Sequence, residues 1–346
     1  MADLRPAIDA VRRAVAMARA PHTRVLAFTG GSAAWETLDE LCTMTLPTRE
    51  EAAVGLWLDE QAYVIADVLL VRGRREWTAF VDTAMEPVAH AWSHQHPGAH
   101  TTELDHGVLH VVGPSAPALL AAAFGDEHAQ LPLFGWARLM RGVCVRFSKS
   151  GEHGFVIGAP RADLSRIEAA LRAAGGDLGL ERVPWEAIEA CELQNGFFRV
   201  RHEGARGVTP VEAGVQWMTE PGKPCVGGGS LQRQQLAGVR ERVAYLIARG
   251  DVRVGARVSF GGLDVGEVLV VGPAPNPAET MVAAVVRSSH AHSGIDGFVL
   301  SRGTSRALAR IVTAPLVIDP NEPLARASAS RIAVHPATGR TKEVSA

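Results

Sequence analysis

A polar segment rich in glycine and proline, Thr209–Ser230, separates two parts of the chain that differ in character. The residues before it alternate between helical and strand patterns, whereas the residues after it form short runs typical of strands. So many glycines and prolines are incompatible with one regular element, and the segment is too long for a simple turn. It is therefore either a functional loop or a linker between domains.

Composition and charge narrow the class of protein. Of the 346 residues, 47% are hydrophobic and 21% are charged, which is a globular balance in a chain long enough for two or three domains. The formal net charge is −2. No global basic field therefore favours nucleic acid, and we expect no nucleic-acid partner.

The sequence also predicts a cytoplasmic protein with no membrane partner. Arginines interrupt the first turns of the chain, where a signal peptide would need an apolar core, and no uncharged apolar stretch is long enough for a membrane span. The four cysteines are widely spaced and form no Cys-x-x-Cys pair. This spacing favours a reduced, intracellular protein without a zinc ribbon.

The part of the chain before the segment predicts an α+β body. Arg24–Thr29 has a strand pattern, and Val54–Leu58 and Ala62–Val71 predict two strands joined by a hairpin. Trp77–Val88 predicts a helix that packs on these strands. Because the strands pair as hairpins rather than as repeated βαβ units, we expect the α+β class instead of a doubly wound parallel sheet.

The end of the chain predicts a second domain. A helix is expected over Leu236–Arg249, and from Val252 onward five or so short β-branched runs are punctuated by glycine and proline. Such runs favour a small barrel or a jelly-roll-like domain. The predicted division assigns residues 1–245 to the α+β body and residues 246–346 to a C-terminal β-barrel.

Two features of the body are candidates for a site. Asp67 interrupts an apolar strand pattern, so it either faces solvent on a half-covered sheet or lies in a pocket with a raised pKa, and the exposed alternative is favoured. The His-rich run contains His90, His94 and His96 at a spacing that permits metal binding. It lacks the glutamate of an HExxH helix and is broken by proline and glycine, so we expect a surface loop and no metal.

Several stretches of the chain resemble one family in the same order. Ser148–Gly158 resembles a Tyr-Thr-Gly-Glu-x-Gly-Phe-Glu strand, and Thr209–Gly214 resembles Thr-Pro-x-Glu-Ala-Gly. Val64–Val71 is similar to Ile-Asp-Asp-Leu-Ile-Val, with Asp67 at the second aspartate. These motifs belong to the T-protein of the glycine cleavage system, an aminomethyltransferase. Two further matches to its C-terminal barrel are Gly266–Val268 and Ala314–Pro320.

A sister branch of that superfamily shares another motif. Lys223–Gly229 resembles the Lys-Gly-Cys-Tyr-x-Gly-Gln motif of the YgfZ-type folate-binding proteins, with Cys225 at the cysteine. T-proteins carry aspartate at that position. Pro224, Val226 and Gly229 depart from the motif.

The resemblance implies a ring-like, multi-part body of the folate-binding type, with tetrahydrofolate in a central hole lined by Asp67 and the loop 209–228. It implies two catalytic residues: Asp67 as a proton relay near the reactive folate nitrogens, and Cys225 as a nucleophile once its pKa is lowered. The implied cofactor-binding residues are Asp67, Glu152, Glu212 and Lys223. The alternatives are purely structural roles, in which Cys225 is a small residue in a glycine-rich turn and Glu212 is an ordinary helix-start carboxylate.

Two positions depart from the T-protein pattern. Val156 stands where T-proteins have a glutamate that receives the paired N–H donors of the pterin, and valine accepts none. Glu192 stands where the family has the arginine of Leu-Arg-Leu-Glu, which reverses the charge.

Three hypotheses therefore remain open. The chain is a T-protein-like, tetrahydrofolate-dependent one-carbon (aminomethyl or methyl) transferase, a divergent YgfZ-type folate-binding accessory protein, or a repurposed scaffold that binds a different small molecule. The first hypothesis predicts that Asp67, Glu212 and Cys225 converge on one cavity.

Overall fold

The computed structural model describes residues 3–74, 76–83 and 100–316. The His-rich run with His90, His94 and His96 lies outside these residues. So do the end of the predicted helix Trp77–Val88 and most of the motif Ala314–Pro320.

Within the described residues, helices and strands alternate along the body, and six strands with one short 3₁₀ turn follow it. The helices longer than one 3₁₀ turn are α1 Arg5–Arg13, α2 Ser32–Leu41, α3 Ala116–Phe124, α4 Asp126–Ala129, α5 Arg161–Ala174, α6 Trp185–Gln194, α7 Pro210–Ala213 and α8 Gly228–Ala237. The strands are β1 Val15–Arg19, β2 Arg24–Thr29, β3 Ala52–Leu58, β4 Val64–Arg72, β5 Trp77–Thr83, β6 His100–Glu103, β7 His106–Val112, β8 Trp136–Leu139, β9 Gly142–Arg146, β10 Gly154–Pro160, β11 Leu180–Arg182, β12 Glu241–Gly250, β13 Arg257–Phe260, β14 Leu263–Pro273, β15 Thr280–Arg287, β16 Asp296–Arg302 and β17 Ser305–Val312.

Two sheets form most of the body. The five-stranded sheet has the order β3-β4-β5-β2-β6 and is antiparallel. The six-stranded sheet has the order β11-β1-β7-β10-β9-β8, in which β1 and β11 are the parallel pair. The predicted hairpin between β3 and β4 is present. The rarity of parallel pairing confirms the α+β class over a doubly wound sheet.

Apolar side chains pack in three layers, one between the two sheets and one on the outer face of each sheet. The sheets face each other through side chains such as Leu69 and Phe80 from one sheet and Val108 and Val156 from the other. The outer face of the five-stranded sheet packs on α2, and the outer face of the six-stranded sheet packs on α3 and α5. Each sheet is thus covered on both faces, which explains why its strands carry apolar residues at successive positions.

The predicted helix over Trp77–Val88 is wrong, because residues 77–83 form β5. Trp77, Ala79 and Val81 pack toward α2, whereas Phe80 packs between the two sheets. This alternation has the period of a strand, but both faces of the strand are buried. An apolar run that is buried on both sides is easily mistaken for a helix.

The segment Thr209–Ser230 is not an extended linker. Val211, Val215 and Met218 pack against Leu56 and Leu58 of β3. The amide of Val64 also donates a hydrogen bond to the carbonyl of Val208, at 2.8 Å. The segment is therefore an integral part of the body that covers the end of the β3–β4 hairpin.

Strands β12 to β17 close into a six-stranded barrel. The predicted helix Leu236–Arg249 is wrong, because α8 ends at Ala237 and β12 begins at Glu241. Ala244, Leu246 and Ala248 fill the barrel, while the residues between them contact the body. The predicted division at residue 245 falls inside this strand.

Candidate functional site

A cavity opens between the two sheets, where their shared apolar layer gives way to polar side chains. It encloses about 710 Å³ of space between protein atoms, counted with its open mouth. Its polar lining consists of His22, Thr23, Asp67, Asp82, His110, Lys149, Glu189, Glu192, Arg199, Arg201 and His202, and its apolar lining of Leu69, Phe80, Phe147, Val156, Trp185 and Val200.

Two aspartates stand side by side on the wall formed by the five-stranded sheet. Asp67 of β4 and Asp82 of β5 are direct cross-strand partners, and the next partners on the same face are Leu69 and Phe80. Asp67 is only 6% exposed, so the prediction that it faces solvent is wrong. Asp82 accepts a hydrogen bond from the hydroxyl of Thr23 at 2.9 Å. Burial raises the pKa of Asp82, and the neighbouring Asp67 adds to this effect.

Lys149 neutralises part of this charge. It lies in the turn between β9 and β10, and its ammonium forms an ion pair with Asp67. Burial alone would lower the pKa of Lys149, but the carboxylates of Asp67, Glu192 and Asp82 outweigh burial and raise it. One ammonium thus faces three carboxylates.

Glu192 closes the cavity from α6. It is 6% exposed, and its carboxylate accepts no hydrogen bond from any residue that the structure describes. Burial raises the pKa of Glu192 to about 7, although Lys149 and Arg199 act in the opposite direction. This side chain is therefore buried, without a hydrogen-bond donor in the described chain, and turned into the cavity.

The rest of the polar wall is internally paired. Glu189 of α6 lies 2.9 Å from His202 and accepts a hydrogen bond from the indole of Trp185. Burial would raise the pKa of Glu189, but these hydrogen bonds and nearby charges lower it overall. Arg199 donates to both carboxylate oxygens of the fully buried Glu203, the shortest contact being 2.5 Å. Its charge is thus neutralised behind the wall.

Arg201 differs from Arg199 in this respect. It also lines the cavity, and it forms no hydrogen bond or salt bridge within the described ranges. Its charge acts on Asp82, which it favours in the ionised form.

The opposite wall is neutral. Val156 of β10 and His110 of β7 are cross-strand partners, and the ring centroid of His110 lies 4.9 Å from that of Trp185. Burial lowers the pKa of His110 to about 3, so its imidazole is uncharged at neutral pH. With Phe147 nearby, this wall presents apolar and aromatic surface.

Of the residues predicted from the sequence, Asp67 lines the cavity and the others lie elsewhere. Glu152 is buried beside Arg12, and its Oε1 atom lies 3.0 Å from Nη1 of that arginine. Glu212 forms a capping box with Thr209, which supports the structural alternative of a helix-start carboxylate. The expected convergence of Asp67, Glu212 and Cys225 on one cavity is not observed.

Lys223 and Cys225 share a separate, small crevice near Thr43 and Thr219. The ammonium of Lys223 lies 3.0 Å from Asp39 and donates to the carbonyl of Cys42. Burial raises the pKa of Cys225, whereas the resemblance required a lowered one. The implied roles of Glu152, Glu212, Lys223 and Cys225 stay predictions without support from this geometry.

The sequence interpretation missed Asp82, Lys149, Glu189 and Arg201. Lys149 lies inside the stretch that resembles the T-protein motif, so its position was available as a signal. Asp82 follows Phe80 at strand spacing, but this signal is visible only once residues 77–83 are recognised as a strand.

The described part of the chain was predicted to contain neither a metal site nor a membrane span. No group of three or more His, Cys, Asp or Glu side chains there could hold a metal ion. None of the described helices has the length and apolarity to cross a membrane.

Comparison with known proteins identifies the family. The family model for the GCVT N-terminal domain matches residues 4–223, which is more than half of the chain. The chain belongs to this family. The GCVT match contains every element that lines the cavity.

Similar proteins carry the name aminomethyltransferase. The enzyme of Symbiobacterium thermophilum is 27% identical over 313 residues, which is 83% of each chain, and that of Chlorobaculum parvum is 26% identical over 62% of each chain. The crystal structure of the glycine cleavage system aminomethyltransferase T from Bartonella henselae has a TM-score of 0.80 at 19% identity, covering 91% of this chain and 89% of that one. The predicted T-protein superfamily and the α+β fold with a C-terminal β-barrel are confirmed.

Proposed function

We propose that this GCVT-family chain is a T-protein-like transferase that moves a one-carbon unit, aminomethyl or methyl, between small molecules in the central cavity, with tetrahydrofolate as the carbon carrier. The placement of Asp67 supports this proposal most. It is the residue that matches the family's strand motif, and it faces the cavity beside Lys149. A buried carboxylate held by one ammonium is suited to proton transfer at a substrate nitrogen.

The proton chemistry follows from the charges around Asp67. Transfer of a carbon substituent to or from an amine changes the number of protons that its nitrogen can carry. The Asp67 carboxylate can accept a hydrogen bond from that nitrogen and receive its proton, and the ion pair with Lys149 holds this carboxylate in place. Glu192, with a pKa of about 7, can hold a proton or release it at neutral pH. Asp67, Asp82 and Glu192 all interact with the single ammonium of Lys149.

The cavity fits tetrahydrofolate only in part. Tetrahydrofolate would supply a nitrogen nucleophile, and its pterin would present paired N–H donors that need a carboxylate. β10 offers Val156 at the position of the T-protein glutamate, and the neighbouring His110 is neutral.

Calorimetric titration of tetrahydrofolate into the full chain tests the proposal. We expect weak binding by the native protein and binding at least tenfold tighter by Val156→Glu, because the new carboxylate can pair with the pterin donors. Absence of binding in both proteins would exclude tetrahydrofolate as the carrier.

Asp67→Asn then tests the chemistry. We expect the rate of one-carbon transfer to fall by roughly 10²- to 10⁴-fold, the usual contribution of a proton-transfer residue, with ligand affinity changed only a few-fold. Asp264→Asn, on the exposed surface of the barrel, is the matched control and should leave the rate unchanged. A rate for Asp67→Asn equal to that of the control would contradict the assigned role.

A second candidate function is a repurposed scaffold for a different small molecule, and Val156 and Glu192 favour it. Relative to the T-protein pattern, Val156 removes a carboxylate from β10 and Glu192 adds one on α6. The YgfZ-type alternative rests on Cys225, which lies in the separate crevice with Lys223. It therefore requires a site other than the central cavity.

A further inference from the structure

The central cavity carries an excess of negative charge. Four carboxylates line it, those of Asp67, Asp82, Glu189 and Glu192, against the cations Lys149, Arg199 and Arg201. Arg199 is neutralised by Glu203 behind the wall. His202 lies 2.9 Å from Glu189, which leaves Asp67, Asp82 and Glu192 to face Lys149 and Arg201.

The excess is concentrated at Glu192. Its carboxylate is more than nine-tenths buried, faces the cavity and has no hydrogen-bond donor among the residues that the structure describes. A buried carboxylate without a partner is unfavourable unless a proton or a cation joins it. Asp82 shares Lys149 with it, and burial raises the pKa of Asp82 even though the hydroxyl of Thr23 donates a hydrogen bond to it. The protein leaves room for one more positive charge here.

Aromatic and apolar side chains line the same cavity as these carboxylates. Phe147, Trp185 and Val156 line the cavity together with the uncharged ring of His110. A metal ion or a bare ammonium would lose its hydration against such surfaces without recovering it. A cation whose charge is spread over methyl groups binds aromatic faces well, because it is weakly hydrated and attracted by the ring quadrupole.

We propose that the central cavity binds a methylated ammonium compound, with the positive nitrogen beside Glu192 and Asp82 and the methyl groups against Phe147 and Trp185. The proposal rests on the proposed function in one respect: such a compound would be the methyl donor. Its C–N bond would break to release a neutral amine, while the acceptor nitrogen would bond to the methyl group and give up its proton to Asp67. Glu192 is the specificity-determining residue, since an arginine there, as in the T-protein motif, would repel this ligand.

Choline and its neutral carbon isostere, 3,3-dimethylbutan-1-ol, test the charge requirement in the full chain. The two differ in one central atom, so a difference in affinity reports the positive charge. By calorimetry at pH 8, we expect choline to bind saturably and the isostere at least tenfold more weakly. Equal affinity of the two probes, or no binding of choline at millimolar concentration, would overturn the proposal.

Substitution of the carboxylates tests the location. Glu192→Gln and Asp82→Asn should each weaken choline binding by roughly ten- to a hundredfold, the usual effect of losing one charged partner. Asp264→Asn on the barrel is the control, and thermal unfolding of every variant shows whether it is folded. Unchanged choline affinity in both cavity variants would overturn the assignment.

Proton release gives a readout that a purely structural role would not change. The charged groups that act on Glu192 are Lys149, Arg199, Asp82 and Glu189. A cation bound beside Glu192 displaces its proton, so choline binding at pH 6.5 should release protons, measured as a difference in heat between two buffers of unlike ionisation enthalpy. The release should disappear in Glu192→Gln. Persistence of the release in that variant would contradict the proposal.

The same protein distinguishes this inference from the proposed function. Choline binding without tetrahydrofolate binding or one-carbon transfer would support the methylated-ammonium site and refute the transferase. Tetrahydrofolate binding and transfer with no choline binding would refute the methylated-ammonium site alone.

Discussion

Asp67 and Asp82 are direct cross-strand partners on β4 and β5, and both carboxylates line the same cavity. Like charges placed directly opposite on a sheet repel each other unless a counter-ion lies between them or one of them holds a proton. Lys149 supplies the counter-ion, and it faces Glu192 as well. The electrostatics of the site therefore depend on one lysine.

Lys149→Met should destabilise the protein by about 3–5 kcal/mol at pH 8, because it leaves buried carboxylates without a cation. Urea unfolding measures the difference. The double variant Lys149→Met/Asp67→Asn removes one of those charges and should recover part of the loss. If the double variant is less stable than the single one, the ion pair is not what makes Lys149 necessary.

Glu192→Gln should alter the pH dependence of stability. The pKa of Glu192 is raised from 4.5 to about 7 in the folded protein, so folding favours the protonated form. The native protein should therefore lose stability relative to Glu192→Gln as pH rises from about 4.5 through 7, by about 3 kcal/mol in total. Free energies of unfolding of both proteins between pH 5 and 8 check this. A constant difference across that range would show that Glu192 titrates normally.

The buried pair Arg199–Glu203 and the exposed pair Arg206–Glu267 form a matched comparison. Glu203 is fully buried and Arg199 nearly so, whereas Arg206 and Glu267 are 43% and 50% exposed. Glu203→Gln should cost about 3–5 kcal/mol of unfolding free energy, because it strands a buried guanidinium.

Glu267→Gln should cost less than about 1 kcal/mol, since water screens the exposed pair. Urea unfolding of the two variants gives the comparison. Similar losses in both would mean that the wall holding Arg199 is wetter than its burial indicates.

Of the four cysteines, we expect Cys225 alone to react with iodoacetamide in the native protein, and we expect that reaction to be slow. Cys42, Cys144 and Cys191 are buried, while Cys225 is partly exposed with a raised pKa. Because it lies in a separate crevice, we expect alkylation to leave ligand binding in the central cavity unchanged. Mass spectrometry of modified peptides, followed by titration of the modified protein, checks both points. Loss of cavity binding in step with modification would restore the catalytic role predicted for Cys225.

The family and the barrel could be predicted from the sequence, and the motif match also gave Asp67 as a candidate site residue. The order of the short motifs indicates the family, and the density of β-branched runs indicates the barrel. The approach of Asp82 and Lys149 to Asp67 could not be predicted. It depends on which strand pairs with β4 and on which turn lies over the end of that strand. Asp82 and Lys149 are 15 and 82 residues away from Asp67 in the chain, and no local pattern relates them.

The errors share a physical cause. Residues 77–83 and 241–250 are strands with apolar contacts on both sides, so they lack the polar face that marks an amphipathic strand. Cys225 was predicted by a motif, and a motif fixes neither exposure nor distance to other groups. Glu212 is satisfied by its own helix start, which is the interpretation that needs no ligand.

Helix α6 bears on how the chain could be shortened. Gln194, two residues after Glu192, accepts a hydrogen bond from Arg12 and donates one to Pro273 of the barrel, both at 3.0 Å. Leu193 packs against the barrel residues Ile247 and Met281. A fragment limited to the GCVT match would expose this apolar contact and release the end of the helix that carries Glu192. The barrel thus holds the end of α6 in place, and we expect a fragment that ends before β12 to lose the position of Glu192.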